Sequence, residues 1–297
     1  MRRRVRAAVG VVLAGWLAGA FARAADAPAE ATATDVEGKE VKVTALKFGT
    51  GTQRLTWLAD PGGTTEDAKK GPLALVLREP HSTTHSKGII TYVPVGSIES
   101  IRYDYDKQVA SVAVKGLAEP LAGTLQYKGI NVLAFGGTAD GKAATFSGGA
   151  FTKDHIKAVA FPGAKPPAAK KGGSPWLVQI DQPKAENPTL KASNFKFLYQ
   201  FPGGVEVVTD AATVRKGDPL KLDDAVKAFT PVAVDQNTHM AAVEVQIGDA
   251  EKIVVIPQEI EKDGKKGTLA GLLGEVDAGW KLFPLHTIKS MKRAKKD

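Results

Sequence analysis

The stretch FKFLYQF, residues Phe195–Phe201, places an aromatic ring at every second position. Successive side chains of an extended strand point to opposite sides, so these four rings share one face. VEVQI, residues Val243–Ile247, alternates apolar and polar side chains in the same way. Both stretches predict half-buried β-strands.

Turn signals divide the rest of the chain into short pieces. Asp140-Gly141 and Asp263-Gly264 are typical of two-residue hairpin turns, because glycine tolerates the positive φ that such turns require. Turn signals about 8–12 residues apart, separated by short runs rich in Val and Leu, are typical of an all-β domain. We therefore expect an all-β, mainly antiparallel fold.

Composition also suggests where the domains begin and end. Residues 162–174 are rich in Pro, Lys and Gly, which is typical of a semi-extended linker that buries no apolar surface. This linker separates two predicted β-rich domains of small-barrel or sandwich type, residues 36–161 and 175–294. A spacer of residues 25–35 precedes the first domain, and residues 295–297 end a basic tail.

The two predicted domains share a sequence pattern. The pattern D-G-K-x-x-T-[FL]-[SA]-G occurs at Asp140–Gly148 and again, 123 positions later, at Asp263–Gly271. At the same offset the apolar run Ile130–Leu133 falls on Ile253–Ile256. Two matches in series at one offset indicate an internal duplication.

A shorter element recurs four times. Each copy places two apolar residues three positions apart after a polar step, which is a helical or turn spacing, and alternation follows. This predicts a tight turn that leads into a strand, with the apolar pair closing the end of a barrel or sandwich. The copies are Val95–Ile101, Thr152–Val159, Leu222–Phe229 and Leu285–Met291.

Two of these copies resemble a known type of fold. YVPVGSIESIRY at Tyr92–Tyr103 and KLFPLHTIKSM at Lys281–Met291 are similar to the closing segments of bacterial SH3-like β-barrels of the Sm-like and PRC types. The resemblance implies a short turn before the last strand of a barrel, and these families have no common catalytic residues. The whole chain also resembles exported proteins of GC-rich bacteria, which implies a location.

The first 24 residues predict export. Arg2, Arg3, Arg4 and Arg6 precede an apolar run at 7–21, and Ala-Arg-Ala follows, which are the three parts of a secretory signal peptide. The run is shorter than the ~20 residues that a membrane-spanning helix needs. We predict cleavage after residue 24 and a periplasmic, cell-envelope or extracellular protein without a transmembrane helix. An uncleaved anchor is the alternative.

Charge and composition exclude several classes of function. The chain has 40 basic and 32 acidic residues, but the first 24 residues hold five arginines and no acid, which leaves 35 against 32. A nucleic-acid binder needs a basic stripe, and the sequence shows none, so we expect no nucleic-acid partner. The lack of Cys excludes disulfides, thiolate nucleophiles and Cys-based metal sites. The basic residues from 289 onward are expected to form a solvated end.

His81 and His85 are the best candidates for a metal site in the sequence, but their signal is weak. Two histidines four apart share one face of a helix and could hold zinc, with Glu79 nearby. Pro80 and the Ser and Thr residues between the histidines predict a loop instead, which would need a third ligand from elsewhere. We therefore expect no metal, no cofactor and no catalytic residue.

Three further groups have one functional and one structural interpretation. The two acids in Tyr103–Asp106 are suited to weak calcium binding or to a hairpin end, and the second is favoured. Asp223 and Asp224 are predicted to begin a short turn. The aromatic row Phe195–Phe201 suits either a stacking platform or a core, and core is favoured.

These features predict a non-enzymatic, exported binding or scaffold protein of the periplasm or cell envelope. Its partner would be an envelope protein or polymer, which would bind at sheet edges and loops. The alternative is a metal-dependent envelope hydrolase that uses His81 and His85. A third hypothesis is an envelope protein tethered by its basic tail.

Overall fold

The computed structural model describes residues 28–59, 71–79, 88–125, 133–148, 155–168, 174–181, 189–215, 218–235 and 240–294. Within these ranges nearly all regular structure is β-strand, and every ladder between strands is antiparallel. The expected all-β, antiparallel class is confirmed. No helix in the described ranges is long and apolar enough to cross a bilayer.

The strands follow one another in short steps. The first part of the chain forms β1 (Glu30–Asp35), β2 (Glu40–Phe48), β3 (Thr52–Arg54), β4 (Leu73–Arg78), β5 (Ile90–Pro94), β6 (Ile98–Asp104), β7 (Val109–Val114), β8 (Leu121–Thr124), β9 (Ala134–Ala139), β10 (Lys142–Ser147) and β11 (Ile156–Ala160). One helical turn, α1 (Thr56–Ala59), follows β3. A 3-10 turn at Val95–Ser97 separates β5 from β6.

The second part of the chain is built in the same way. It forms β12 (Trp176–Ile180), β13 (Thr189–Phe201), β14 (Val205–Thr209), β15 (Ala211–Ala212), β16 (Leu220–Lys221), β17 (Val226–Asp235), β18 (Met240–Ile247), β19 (Ala250–Pro257), β20 (Glu259–Lys262), β21 (Lys265–Val276), β22 (Gly279–Phe283) and β23 (Ile288–Arg293). A second 3-10 turn at Leu285–Thr287 separates β22 from β23.

The described strands form two large sheets and one short hairpin. The first sheet has the order β10-β9-β2-β1-β11-β6-β7-β8. The second has the order β19-β18-β17-β23-β12-β13-β21-β22-β5-β4-β3, with β14 beside β13 and β20 beside β21, and β15 pairs with β16. Strands β3 to β5 therefore belong to the sheet of the second half, although they precede the linker. Residues 30–35 of the predicted spacer form β1, which pairs with β2 and β11 in the first sheet. The domain boundaries themselves stay a prediction.

The four recurring elements end in strands with one shared register. We call these four strands, β6, β11, β17 and β23, the closing strands. The first residue of each closing strand pairs with the last residue of another strand. The third residue pairs with the residue just before that last one, so the closing strand has one extra residue, which bulges out. The pairs are Ile98–Val114 and Ser100–Ala113, Ile156–Asp35 and Ala158–Thr34, Val226–Ile247 and Ala228–Gln246, and Ile288–Ile180 and Ser290–Gln179. Such a bulge bends a strand and increases its twist.

A tight turn precedes three of these strands, as predicted. The 3-10 turns precede β6 and β23, and the amide of Val226 donates to the carbonyl of Asp223 at 3.1 Å before β17. The beginning of the fourth copy, at 152–154, lies outside the described residues. The closing strands also pair with each other, Ile101 opposite Val159 and Phe229 opposite Met291.

Both predicted hairpin turns are confirmed. Asp140 and Gly141 have φ of 49° and 73°, and Asp263 and Gly264 have φ of 52° and 69°. Positive φ at both central residues is the signature of a type I′ turn, whose twist suits two antiparallel strands. Since residues 130–132 lie outside the described ranges, the duplication stays a prediction.

The aromatic row lies in the core. Phe195, Phe197, Tyr199 and Phe201 are all buried, and they pack into the largest apolar cluster, together with Trp176 and Phe283. A second cluster fills the first half around Ile101 and Val159. The preference for core over a stacking platform is therefore confirmed.

Candidate binding site at the junction of the two halves

The two halves meet where β5 pairs with β22. Thr91 lies opposite Lys281, and Tyr92 lies opposite Trp280. Adjacent residues of a strand face opposite sides, so this junction has one face with Thr91 and Lys281 and another with Tyr92 and Trp280. These two faces have different chemistry.

A buried ion pair occupies the first face. The ammonium of Lys281 contacts Oε1 of Glu79, and the hydroxyl of Thr91 donates to the same oxygen at 2.7 Å. All three side chains are buried. Because Glu79 follows β4 and Lys281 belongs to β22, the pair joins the two halves. Breaking such a pair leaves an uncompensated buried charge.

Three aromatic rings occupy the second face. Trp57 of α1 meets Trp280 with ring centroids 5.1 Å apart and planes at 86°, and it meets Tyr92 at 6.4 Å and 74°. These are edge-to-face contacts, which suit the quadrupoles of the rings. Trp57 and Tyr92 are buried, whereas Trp280 is half-buried at the rim.

A buried carboxylate lies against the rings. Glu206 is 4% exposed, its Oε2 accepts a hydrogen bond from Trp57 Nε1 at 3.1 Å, and its Oε1 accepts one from Gln200 Nε2 at 3.2 Å. Both donors are neutral. Within the described part of the chain, Glu206 forms no ion pair.

The hairpin of β13 and β14 explains how Glu206 reaches this place. Gly203 and Gly204, with φ of 83° and 77°, turn the chain so that Glu206 pairs with Gln200. Alternation along β14 then directs Val207 into the main core and Glu206 with Val208 to the opposite face. Gln200 is exposed, so one side of the carboxylate lies near solvent.

The surroundings of the Tyr92 phenol raise its pKa above the ordinary value. Burial raises the pKa of Tyr92, the charge of Glu206 raises it further, and Arg78 lowers it. Since the net shift is upward, the phenol remains a neutral hydrogen-bond donor further into the alkaline range than an ordinary tyrosine does.

The two histidine candidates lie outside the described residues. In the described ranges no group of three or more His, Asp or Glu side chains is arranged to hold a metal. Glu79, the acid closest to them in sequence, is bonded to Lys281 and Thr91.

The acids of Tyr103–Asp106 form a hairpin end, as favoured. Strand β6 ends at Asp104, whose Oδ1 accepts the backbone N–H of Lys107 at 2.9 Å, and whose Oδ2 lies 3.0 Å from Lys107 Nζ. The backbone hydrogen bond from Lys107 lowers the pKa of Asp104, and the ammonium of Lys107 lowers it further. Both carboxylate oxygens are therefore engaged in closing the turn.

Asp223 begins a turn as predicted. Its Oδ1 accepts the N–H of Ala225 at 3.1 Å.

The expectation of a solvated basic end is wrong for Arg293. Arg293 ends β23, lies 4.2 Å over the ring of Trp176, and donates to the carbonyl oxygens of Ser174 at 2.6 Å and Val226 at 3.2 Å. Burial lowers the pKa of Arg293. The guanidinium of Arg293 is held against the protein, because the Trp176 ring and the carbonyl oxygens take the place of water around it.

Sequence analysis missed the residues of the second face. Trp57 and Glu206 lie 149 positions apart and carry no shared motif. Of these residues, only Glu206 could have been noticed in the sequence. It is a charged residue inside the run VEVV, whose other residues predict a buried strand.

The chain was compared with protein-family models, curated proteins and solved structures, and none of them matches it. Inference about function therefore starts from the residues of the chain itself.

Proposed function

We propose that this protein is an exported, non-enzymatic binding or scaffold protein of the periplasm or cell envelope. The observation that carries the proposal is the cluster of Trp57, Tyr92, Trp280 and Glu206 at the junction of the halves. Aromatic rings with a few placed polar groups are the usual lining of a ligand site, and such sites favour junctions between structural units. The export signal in residues 1–24 supports the location.

Sheet edges supply a second kind of contact. Strand β19 lies at one end of the larger sheet and pairs with β18 along its whole length. Ile253 on β19 is 58% exposed, and the amide of Arg215 donates to the carbonyl oxygen of Val255 at 3.0 Å. An edge of this kind accepts an added strand from an envelope protein.

Cell fractionation with N-terminal sequencing tests the location. The native protein is expected in the periplasmic or envelope fraction with Ala25 as its first residue, because the signal would be removed on export. Recovery from the cytosol with Met1 intact would contradict the proposal.

Co-sedimentation with isolated envelopes tests the binding role. The mature protein is expected to be retained, and Trp280→Leu is expected to reduce retention because it removes the ring at the rim of the cluster. Leu177→Ala is the matched control, since Leu177 is an exposed apolar residue on β12. Equal retention of wild type and Trp280→Leu, at similar melting temperatures, would count against this site.

Metal analysis tests the alternative of an envelope hydrolase. The purified protein is expected to contain less than one zinc ion per chain, and His81→Ala is expected to leave that content unchanged. Stoichiometric zinc that is lost with His81→Ala or His85→Ala would overturn the binding role in favour of the hydrolase.

A further inference from the structure

One face of the larger sheet is exposed across six neighbouring strands. Strands β13, β12, β23, β17, β18 and β19 follow one another in this order. Trp176, Phe229 and Met291 point from this part of the sheet into the core. On the opposite face, one row of paired residues crosses all six strands, and each member is exposed or half-buried. The members are Lys191, Leu177, Lys292, Ala228, Gln246 and Glu251.

A second row lies beside the first on the same face. Its members are also exposed or half-buried, and they are Thr189, Gln179, Ser290, Thr230, Glu244 and Ile253. Neighbouring strands lie about 4.8 Å apart, so six strands make a face about 24 Å wide. We call these two rows the outer face.

Positive and negative charges lie on opposite sides of the outer face. Lys191 and Lys292 lie on β13 and β23, and neither forms an ion pair within the described part of the chain. Glu244 and Glu251 lie on β18 and β19 and contact each other. A hydrogen bond with Glu251 raises the pKa of Glu244, and the negative charge of Glu251 raises it further. A cation brought to this pair would stabilise both carboxylates in their charged form.

A two-fold axis parallel to the strands brings these opposite charges together. When the axis lies between β23 and β17, it places β13 of one copy over β19 of a second copy, and β12 over β18. Lys191 then lies opposite Glu251 of the second copy, and Gln179 lies opposite Glu244. Each contact occurs twice by symmetry. Stacked sheets lie about 10 Å apart with their strands nearly aligned, a gap that the long side chains of lysine and glutamate bridge.

We infer that the outer face binds the outer face of a second copy of this chain, with Lys191 of each copy paired with Glu251 of the other. Ala228 at the centre is small and allows close approach. Ile253, which is 58% exposed, is covered by the second copy. A face of this width falls at the lower end of specific interfaces, so the dimer is weak and reversible. The outer face is separate from the junction cluster, and the inference goes beyond the proposed function without depending on it.

Analytical ultracentrifugation of the purified protein measures this association. At low salt the average mass is expected to rise from one chain toward two between micromolar and millimolar concentration. High sodium chloride should weaken the rise, because salt screens ion pairs at an exposed surface. A protein that stays monomeric over the whole concentration series at low salt overturns the inference.

Charge reversal tests which face is used. Lys191→Glu and Glu251→Lys are each expected to weaken dimerisation about tenfold or more, because each brings two pairs of like charges together. Lys142→Glu on β10 and Glu261→Lys on β20 are the matched controls, since both residues are exposed and lie outside the outer face. The controls should leave the dissociation constant unchanged. A dimer of unchanged strength in Lys191→Glu overturns the inference, and pairing through the edge of β19 predicts that result.

The double variant Lys191→Glu/Glu251→Lys distinguishes a contact between copies from an effect within one chain. Residues 191 and 251 lie on strands about 24 Å apart, so their side chains do not meet within one chain. Exchange of both charges restores opposite charges across the two-fold axis. We expect the dissociation constant to return to within about threefold of wild type. A double variant that dimerises no better than the single variants, at similar melting temperatures, overturns the inference.

Discussion

Two tyrosines at the end of β6 differ in whether their hydroxyl group has a hydrogen-bond partner. Tyr103 and Tyr105 have nearly parallel rings with centroids 6.0 Å apart. The hydroxyl of Tyr105 donates to the carbonyl of Ile156 at 2.6 Å, whereas the buried hydroxyl of Tyr103 has no hydrogen-bond partner among the described residues. A buried polar atom without a partner bears its full desolvation cost. The two hydroxyl groups therefore make opposite contributions to stability.

Removing each hydroxyl in turn should show this difference. Tyr103→Phe is expected to raise the free energy of unfolding by about 1 kcal/mol, because it removes an unsatisfied group, and Tyr105→Phe to lower it by about 1 kcal/mol. Urea unfolding measures both. A loss of stability in Tyr103→Phe would show that the hydroxyl has a partner.

The same pair predicts a loss of stability at alkaline pH. Burial raises the pKa of Tyr105 to about 12 from its ordinary value of 10.0, and it also raises the pKa of Tyr103. The folded state therefore holds its phenolic protons more tightly than the unfolded state. This stabilisation is complete below pH 10 and declines as pH rises from 10 through 12. Unfolding free energies at pH 9, 10.5 and 12 check the sign, and the decline should be shallower in Tyr105→Phe.

The buried ion pair between Glu79 and Lys281 gives a prediction about the junction itself. Lys281→Met is expected to destabilise the protein by about 3 kcal/mol, since Glu79 is then buried without its cation. Adding Glu79→Leu should restore most of that loss. Urea midpoints of the single and double variants check this, and a double variant no more stable than Lys281→Met would contradict it.

At the scale of elements, the last position of the repeated D-G-K pattern requires glycine for a steric reason in both copies. A Cβ on Gly148 would lie 1.8 Å from the ring of Tyr103, and a Cβ on Gly271 would lie 2.3 Å from the carbonyl oxygen of Phe283. Gly271 also has φ of 153°. In each copy the strand after the hairpin passes too close to a neighbour for any side chain.

Alanine substitution should separate this requirement from that of the turn. Gly271→Ala is expected to cost about 3 kcal/mol, because backbone must shift, whereas Gly264→Ala should cost about 1 kcal/mol, since only its positive φ of 69° is unfavourable. Chemical denaturation measures both. Equal costs would mean that the contact at Phe283 relaxes easily.

At the scale of the whole molecule, the halves share one sheet. Strands β3 to β5 come from the first half, yet β5 pairs with β22, and the residues of the pair Thr91–Lys281 lie 190 positions apart. The linker can therefore be cut without removing the contacts that join the halves, because these contacts lie in the sheet.

A cleavable linker tests this arrangement. With a protease site in place of residues 169–173, the two fragments should co-elute after cleavage on size-exclusion chromatography at moderate ionic strength. Lys281→Met in the same chain should weaken the association. Fragments that separate in the otherwise unchanged chain would contradict a junction held by β5 and β22.

Local patterns in the sequence determined the strand content, the two Asp-Gly hairpins, the turns before the closing strands and the core position of the row from Phe195 to Phe201. Each of these depends on alternation or on φ preferences within a few residues, which the chain carries wherever it folds. Only the tertiary structure decided that Glu206 meets Trp57, that Lys281 meets Glu79 and that Arg293 lies over Trp176. Those contacts join residues more than one hundred positions apart, and pairing between distant strand edges sets them. No short-range pattern specifies which edges pair, because exposed strand edges offer the same backbone donors and acceptors.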